Sequence, residues 1–170
     1  MFSKNVKKAF LILSIALPFL IYSVYYYSFM IKNAPYRFSD FESFSIQYGN
    51  GDSLVNKYDS KTGDYQYLNA HDSLIKKHMP LRNDDLLYLH RKAAEMGFWN
   101  FPEVEVNDSM KIKGINSPHY LIQFNYTHKS KKVLFDEAFD GDPKLKSANE
   151  EMIKEIEKVL GDAEDRMPHK

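Results

Sequence analysis

HYLIQFNYTHKSKKVLFD, residues 119–136, alternates apolar and polar side chains on both sides of a short basic turn. Tyr120, Ile122, Phe124 and Tyr126 fall on one face of a strand. Leu121, Gln123, Asn125 and Thr127 fall on the other, which is mostly polar. This two-residue period is that of a strand half buried in an antiparallel sheet. HKSK turns the chain, and KVLFD brings it back with Val133 and Phe135 on one face. A sheet that is apolar on one side needs a layer to cover it, so the hairpin directs attention to the helices around it.

Toward the C-terminus, DPKLKSANEEMIKEIEKVLG (residues 142–161) supplies one such helix. Leu145, Met152, Ile153, Ile156, Val159 and Leu160 form an apolar stripe at helical spacing. Asp142 and Pro143 suit the N-cap and first helical positions, although SANE (residues 147–150) is an alternative capping box one turn later. Gly161 is the expected stop, leaving residues 162–170 as a flexible tail.

Toward the N-terminus, Phe44, Ile46 and Tyr48 alternate with Ser45 and Gln47, and GNGD (residues 49–52) supplies a turn. A second strand runs through Leu54 and Tyr58. Another glycine turn over residues 61–64 leads to a short third strand over residues 65–68. Residues 69–81 fit either a loop or an irregular strand ending at Pro80. A second helix then begins, with Asn83 as cap, Asp84 and Asp85 on its positive dipole end, and Leu86, Leu89, Ala93 and Met96 at helical spacing. Gly97 closes it. FWNFP (residues 98–102) reads either as a plug sealing the core or as an exposed aromatic patch for a partner. The stretch EVEVNDSMKIKGINSP (residues 103–118) reads as a surface connection with some strand character at Val104 and Val106.

The first 31 residues differ from the rest. AFLILSIALPFLIYSVYYYSFMI (residues 9–31) carries no charge, and its 23 residues make a helix of about 35 Å, enough to cross a hydrocarbon core of about 30 Å. Three readings are open to it: a buried core helix, a cleaved signal peptide and a retained anchor. A core helix would show a polar face, and a secretory apolar core is shorter, about 7–15 residues. The nearest cleavage site, at Ala34, has Lys32 before it and Pro35 after it. Tyr22, Tyr25, Tyr26 and Tyr27 suit the interfacial end of a span. A retained anchor is therefore expected. Lys4, Lys7 and Lys8 on the short N-terminal flank favour a cytoplasmic N-terminus and an outside C-terminal domain. Ser14, Ser23 and Ser28 are candidate contacts to other membrane helices.

The expected fold class is α+β: an N-terminal transmembrane helix followed by one domain whose antiparallel sheet is covered on one face by two helices. The expected division is residues 1–31 as cytoplasmic tip and anchor, 32–40 as linker, 41–161 as the exported domain and 162–170 as the tail. Residues 41–160, from FESFSIQYGNGDS through LRNDDLLYLHRKAAEMGFWNFPE to the closing hairpin and helix, resemble a group of uncharacterised bacterial exported domains. Members of that group are often lipoproteins. This chain has no cysteine to acylate and carries an apolar helix instead. The resemblance implies an exported domain and brings no activity with it.

The 23 basic and 23 acidic side chains balance. Beyond residue 31 they number 20 and 23, a mildly acidic domain without the footprint of a nucleic-acid binder. Abundant Tyr, Phe, Lys and Asn suit an AT-rich bacterial genome. Absence of cysteine removes disulfides, thiolate metal sites and a cysteine nucleophile. No hydrolase elbow, phosphate loop or dinucleotide fingerprint appears. Each of the six histidines reads as a surface residue, and none has ligand spacing. DEAFDGDP (residues 136–143) concentrates carboxylates without the spacing of a calcium loop.

The expectation is a non-enzymatic, membrane-anchored envelope domain of the bacterial inner membrane, acting as a protein-interaction module. Its partners are the lipid bilayer through residues 9–31 and a second protein, with no nucleic acid, cofactor or metal. The expected partner-binding residues are Phe98, Trp99 and Phe101 on the aromatic segment and Gln123, Asn125 and Thr127 on the polar strand face. The alternatives weighed are a structural subunit of a membrane assembly, an immunity-type inhibitor and an enzyme with an unrecognised site.

Overall fold

The computed structural model describes residues 4–33, 36–51, 53–107 and 117–168. The chain divides into two compact units, Met1–Pro35 and Tyr36–Lys170.

The first unit is one helix, α1 (Lys4–Asn33), which continues through Pro18 and two residues past the apolar run. Within it Phe10–Tyr27 has a mean hydropathy of 1.8 and no buried residue. It is long and apolar enough to cross a membrane, and a signal sequence meets the same description. The hydroxyls of Ser14 and Ser23 donate to the carbonyls of Phe10 and Phe19 at 2.7 and 2.8 Å. These two serines thus satisfy themselves on their own helix. The side chain of Ser28 lies outside the described residues.

The second unit is α+β. Its strands are β1 (Phe41–Asn50), β2 (Asn56–Asp59), β3 (Asp64–Leu68), β4 (Leu74–His78), β5 (Val104–Glu105), β6 (Pro118–Tyr126) and β7 (Lys129–Asp136). They form one seven-stranded sheet in the order β4-β3-β2-β1-β6-β7-β5. The helices are α2 (Asn83–Glu95) and α3 (Pro143–Asp165). The ambiguous stretch after residue 69 is resolved as strand β4, paired along β3 from Leu68↔Leu74 to Asp64↔His78.

The sheet corrects the antiparallel expectation. Every pairing is antiparallel except β5 with β7, which is parallel, so the sheet is mixed. The physical reason is the route of the chain. After α2 and the FWN turn it reaches the outer edge of β7 already running in that strand's direction. Two residues pair there, Val104↔Leu134 and Glu105↔Phe135.

Alternation in β1, β6 and β7 places Phe44, Ile46, Ile122, Phe124, Tyr126, Val133 and Phe135 in one core with Leu89 and Ala93 of α2 and Met152, Ile153, Ile156, Val159 and Leu160 of α3. Both helices therefore pack on the same side. The register Phe44↔Phe124 and Ile46↔Ile122 puts the largest apolar side chains at the centre of the sheet.

Two helix ends differ from expectation. α2 starts at Asn83 itself, and the cap bond runs from the Arg82 amide to Asp85 Oδ2 at 3.0 Å. Gly97 does turn the chain, at φ 72°. Gly161, by contrast, is an ordinary residue inside α3. The helix continues one turn beyond it because Ala163 is buried, Glu164 pairs with Lys77 of β4, and Arg166 reaches Asp85 of α2 at 2.6 Å. At the other end, Asp142 caps α3 as expected, accepting from the Lys144 amide at 2.9 Å. Residues 36–40 likewise belong to the folded unit, since Tyr36 stacks on Trp99 and Phe38–Asp40 forms a 3-10 turn.

Candidate functional site

On the sheet face opposite α2 and α3, the register assembles a row that spans all seven strands. It runs Lys76 (β4), Gln66 (β3), Lys57 (β2), Gln47 (β1), Leu121 (β6), Leu134 (β7) and Val104 (β5). Four polar or charged side chains thus give way to three apolar ones along a single line. Val104 is 61% exposed, and Leu121 and Leu134 are half-buried. One step along the strands lies a polar row, Asp59, Ser45, Gln123 and Lys132. One step further, Asn125 stands between Ser43 and Ser130. Gln123 Nε2 donates to Asn125 Oδ1 at 2.7 Å, and Asn125 Nδ2 donates to Ser43 Oγ at 2.9 Å. The amides are held in a fixed orientation by their own neighbours. The arrangement is an apolar strip bordered by oriented hydrogen-bonding groups, the layout of a protein contact surface.

Of the expected partner-binding residues, Gln123 and Asn125 lie together on this face. Thr127 does not. It sits in the turn after β6, and its amide and hydroxyl both donate to the Asp40 carbonyl, at 2.9 and 3.2 Å. Phe98 and Phe101 are on the other side of the sheet, 0% and 8% exposed. They are plug residues and present no free surface. Trp99 is half-buried, stacked on Tyr36 with centroids 4.4 Å apart and edge-on to Phe124 at 5.3 Å. Sequence reasoning missed Leu134 and Val104, because only the pairing register places them beside Leu121.

The aromatic plug also changes the reading of one histidine. His90 of α2 is buried, with Nδ1 2.8 Å from the Tyr126 hydroxyl and the ring 5.6 Å from that of Trp99. Burial, helped by the Arg91 charge, lowers its pKa below 6.5. It is a satisfied core histidine, where a surface residue was expected. Its hydroxyl partner, Tyr126, has its pKa raised chiefly by burial.

A shallow cavity of about 370 Å³ opens where α3 meets β6 and β7, lined by Tyr120, Phe135, Ile153, Lys154 and the carboxylates of Glu137, Glu150 and Glu157. Partial burial and then the Glu137 charge raise the Glu157 pKa. Burial pushes the Tyr120 hydroxyl up to about 12. The cavity is acidic and open to solvent, and its carboxylates belong to the surface.

Lys131, Glu105 and Asn149 are further polar residues buried in the second unit. Lys131 of β7 occupies an inward position in line with Val133 and Phe135, and its Nζ donates to the Phe101 carbonyl. Glu105 of β5 points inward beside Phe135, and Asn149 of α3 donates to it. Burial pushes the Glu105 carboxyl up to about 7, against the opposing pull of the Asn149 amide and the Lys131 charge. Among the described residues, no group of three or more His, Asp or Glu side chains is arranged to hold a metal ion.

No family model matches the chain, and neither a curated protein nor a solved structure shows significant similarity to it.

Proposed function

We propose that this chain is a non-enzymatic interaction module of the bacterial envelope, held in the inner membrane by α1 and binding a partner protein on the sheet face opposite α2 and α3. The observation that carries the reading is the row Leu121–Leu134–Val104, an apolar strip at one end of a seven-strand line and bordered by Gln47, Gln123, Asn125 and Lys132. Interfaces concentrate their energy in a few apolar contacts and surround them with a polar rim that sets register. Here the rim amides are already oriented, so less side-chain entropy is lost on binding. The chemistry of this face suits recognition: it gathers amides, hydroxyls and aliphatic carbons. In this reading the N-terminus is cytoplasmic, and the second unit lies outside.

The test is a photo-crosslinking amino acid placed at Leu134 and, as control, at Lys61 in an exposed turn, in cells that express the full chain. One defined adduct from position 134 and none from position 61 supports the reading. Equal labelling from both positions, or no adduct from either, overturns it. Alkaline carbonate extraction that released the full-length chain would remove the membrane part of the proposal alone.

A further inference from the structure

Glu105 and Asn149 are 1% and 0% exposed, and each has one oxygen left over. Asn149 Nδ2 donates to Glu105 Oε2 at 2.5 Å and to the Leu145 carbonyl at 3.0 Å. The second bond fixes which end of the amide is nitrogen, and the two bonds together use both of its protons. Among the described residues, the buried side-chain atoms without a hydrogen-bond partner are Glu105 Oε1 and Asn149 Oδ1. Both are acceptors when the carboxyl is ionised, so neither can satisfy the other. Leaving a buried polar atom unpaired costs on the order of 1–3 kcal/mol. Two such orphans on one hydrogen-bonded pair have a common remedy, because a proton on Oε1 turns it into the donor that Oδ1 lacks.

We propose that Glu105 is a neutral carboxylic acid in the folded protein, and that its O–H donates to Asn149 Oδ1, so that two hydrogen bonds latch β5 to α3. The proton is taken from water on folding and returned to water on ionisation. The charged groups around the pair are few. Lys131 on β7 favours the ionised carboxylate, but its Nζ is engaged by the Phe101 carbonyl. Glu103, just before β5, favours the charged form of Lys131 and so supports that pull. Burial outweighs both and raises the Glu105 pKa from 4.5 to about 7.

The sign follows from that direction. A carboxyl with a raised pKa in the folded state contributes stability that is full below its unfolded value of 4.5 and is lost as pH rises through about 7. The element released is β5. Besides the latch, it is held by its two-residue pairing with β7 and by the bond from the Leu134 amide to the Glu103 carbonyl at 2.9 Å. Ionisation therefore loosens the edge of the sheet that carries Val104, one member of the apolar strip.

The experiment is infrared spectroscopy of the full chain in detergent micelles, as a difference between wild type and Glu105→Gln across a pH titration. The expected result is a protonated-carboxyl band that is missing from the variant and disappears in wild type with a midpoint near 7. A midpoint near 4.5, or no such band below it, overturns the proposal. Hydrogen exchange of the Glu105 and Leu134 amides, corrected for intrinsic rate, reads the latch itself. Between pH 4.5 and about 7 it should accelerate in wild type by up to tenfold per pH unit, and level off above that. In Glu105→Gln, where an amide keeps both bonds, it should stay unchanged. Equal acceleration in both proteins would mean that Glu105 is not the group responsible.

Discussion

The Nδ1 atom of His90 lies 2.8 Å from the hydroxyl of Tyr126, joining the middle of α2 to the last residue of β6 inside the aromatic plug. Because burial lowers the His90 pKa below 6.5, the ring is neutral in the folded state near neutral pH. Its contribution to stability is complete above 6.5 and is lost as pH falls through that value toward the lowered one. Thermal melts between pH 5 and 8 should show an acid limb in wild type that is flattened in His90→Gln. Tyr126→Phe should cost about 1 kcal/mol at neutral pH by removing the partner.

Tyr58 is a second buried hydroxyl, and its bonds are on both sides. It donates to the Met79 carbonyl at 3.1 Å and accepts from the Leu81 amide at 3.2 Å, pinning the segment between β4 and α2. Tyr58→Phe keeps the ring and orphans both backbone groups. Urea unfolding should report a loss of about 1–3 kcal/mol with an unchanged m-value.

Phe124 meets Phe44 at 5.1 Å, Phe98 at 5.5 Å and Trp99 at 5.3 Å between centroids, with no exposure of its own. Phe124→Ala should cost about 3–5 kcal/mol, enough to unfold many domains. Leu134→Ala, on the opposite face, should lose much less stability, yet abolish the adduct formed when the crosslinking amino acid is placed instead at the neighbouring Leu121.

Gly97 has φ 72°, and a methyl group built there meets nothing within 4 Å. Gly97→Ala therefore isolates the backbone term. The expected loss is about 1 kcal/mol, roughly the left-handed penalty of an L-residue, with no change in the spectrum of Trp99.

Removing the chain after Gly161 tests whether the last turn of α3 is structural. The cut takes away buried Ala163, the Glu164 partner of Lys77 and the Arg166 partner of Asp85. A loss of about 1–2 kcal/mol is expected, roughly half from the buried Ala163 methyl and the rest from two half-exposed ion pairs that each contribute little. A truncated protein that melts with the full chain would return those residues to the status of a tail.

Long periodic segments were legible without coordinates. β1, β6 and β7 follow from two-residue alternation, and α2 and α3 follow from their stripes and caps. Short or compensated features were not. β5 is two residues long, too short for any period, so its parallel pairing was hidden and with it the mixed character of the sheet. Lys131 has the parity of the core face but the charge of the surface, and the Phe101 carbonyl with the nearby Glu103 and Glu105 explains it. His90 looked like a surface residue because its partner Tyr126 lies 36 residues away. The halves of the candidate face differ in the same way. Gln123 and Asn125 share a strand, whereas Leu134 and Val104 come from two others and meet Leu121 only through register.

The two margins of the sheet carry like charge. Lys76 on β4 and Lys132 on β7 are exposed, and the two-residue β5 covers only the end of its side. Two copies meeting margin to margin would bring lysine against lysine in either order. That repulsion opposes the fusion of neighbouring sheets into one ribbon.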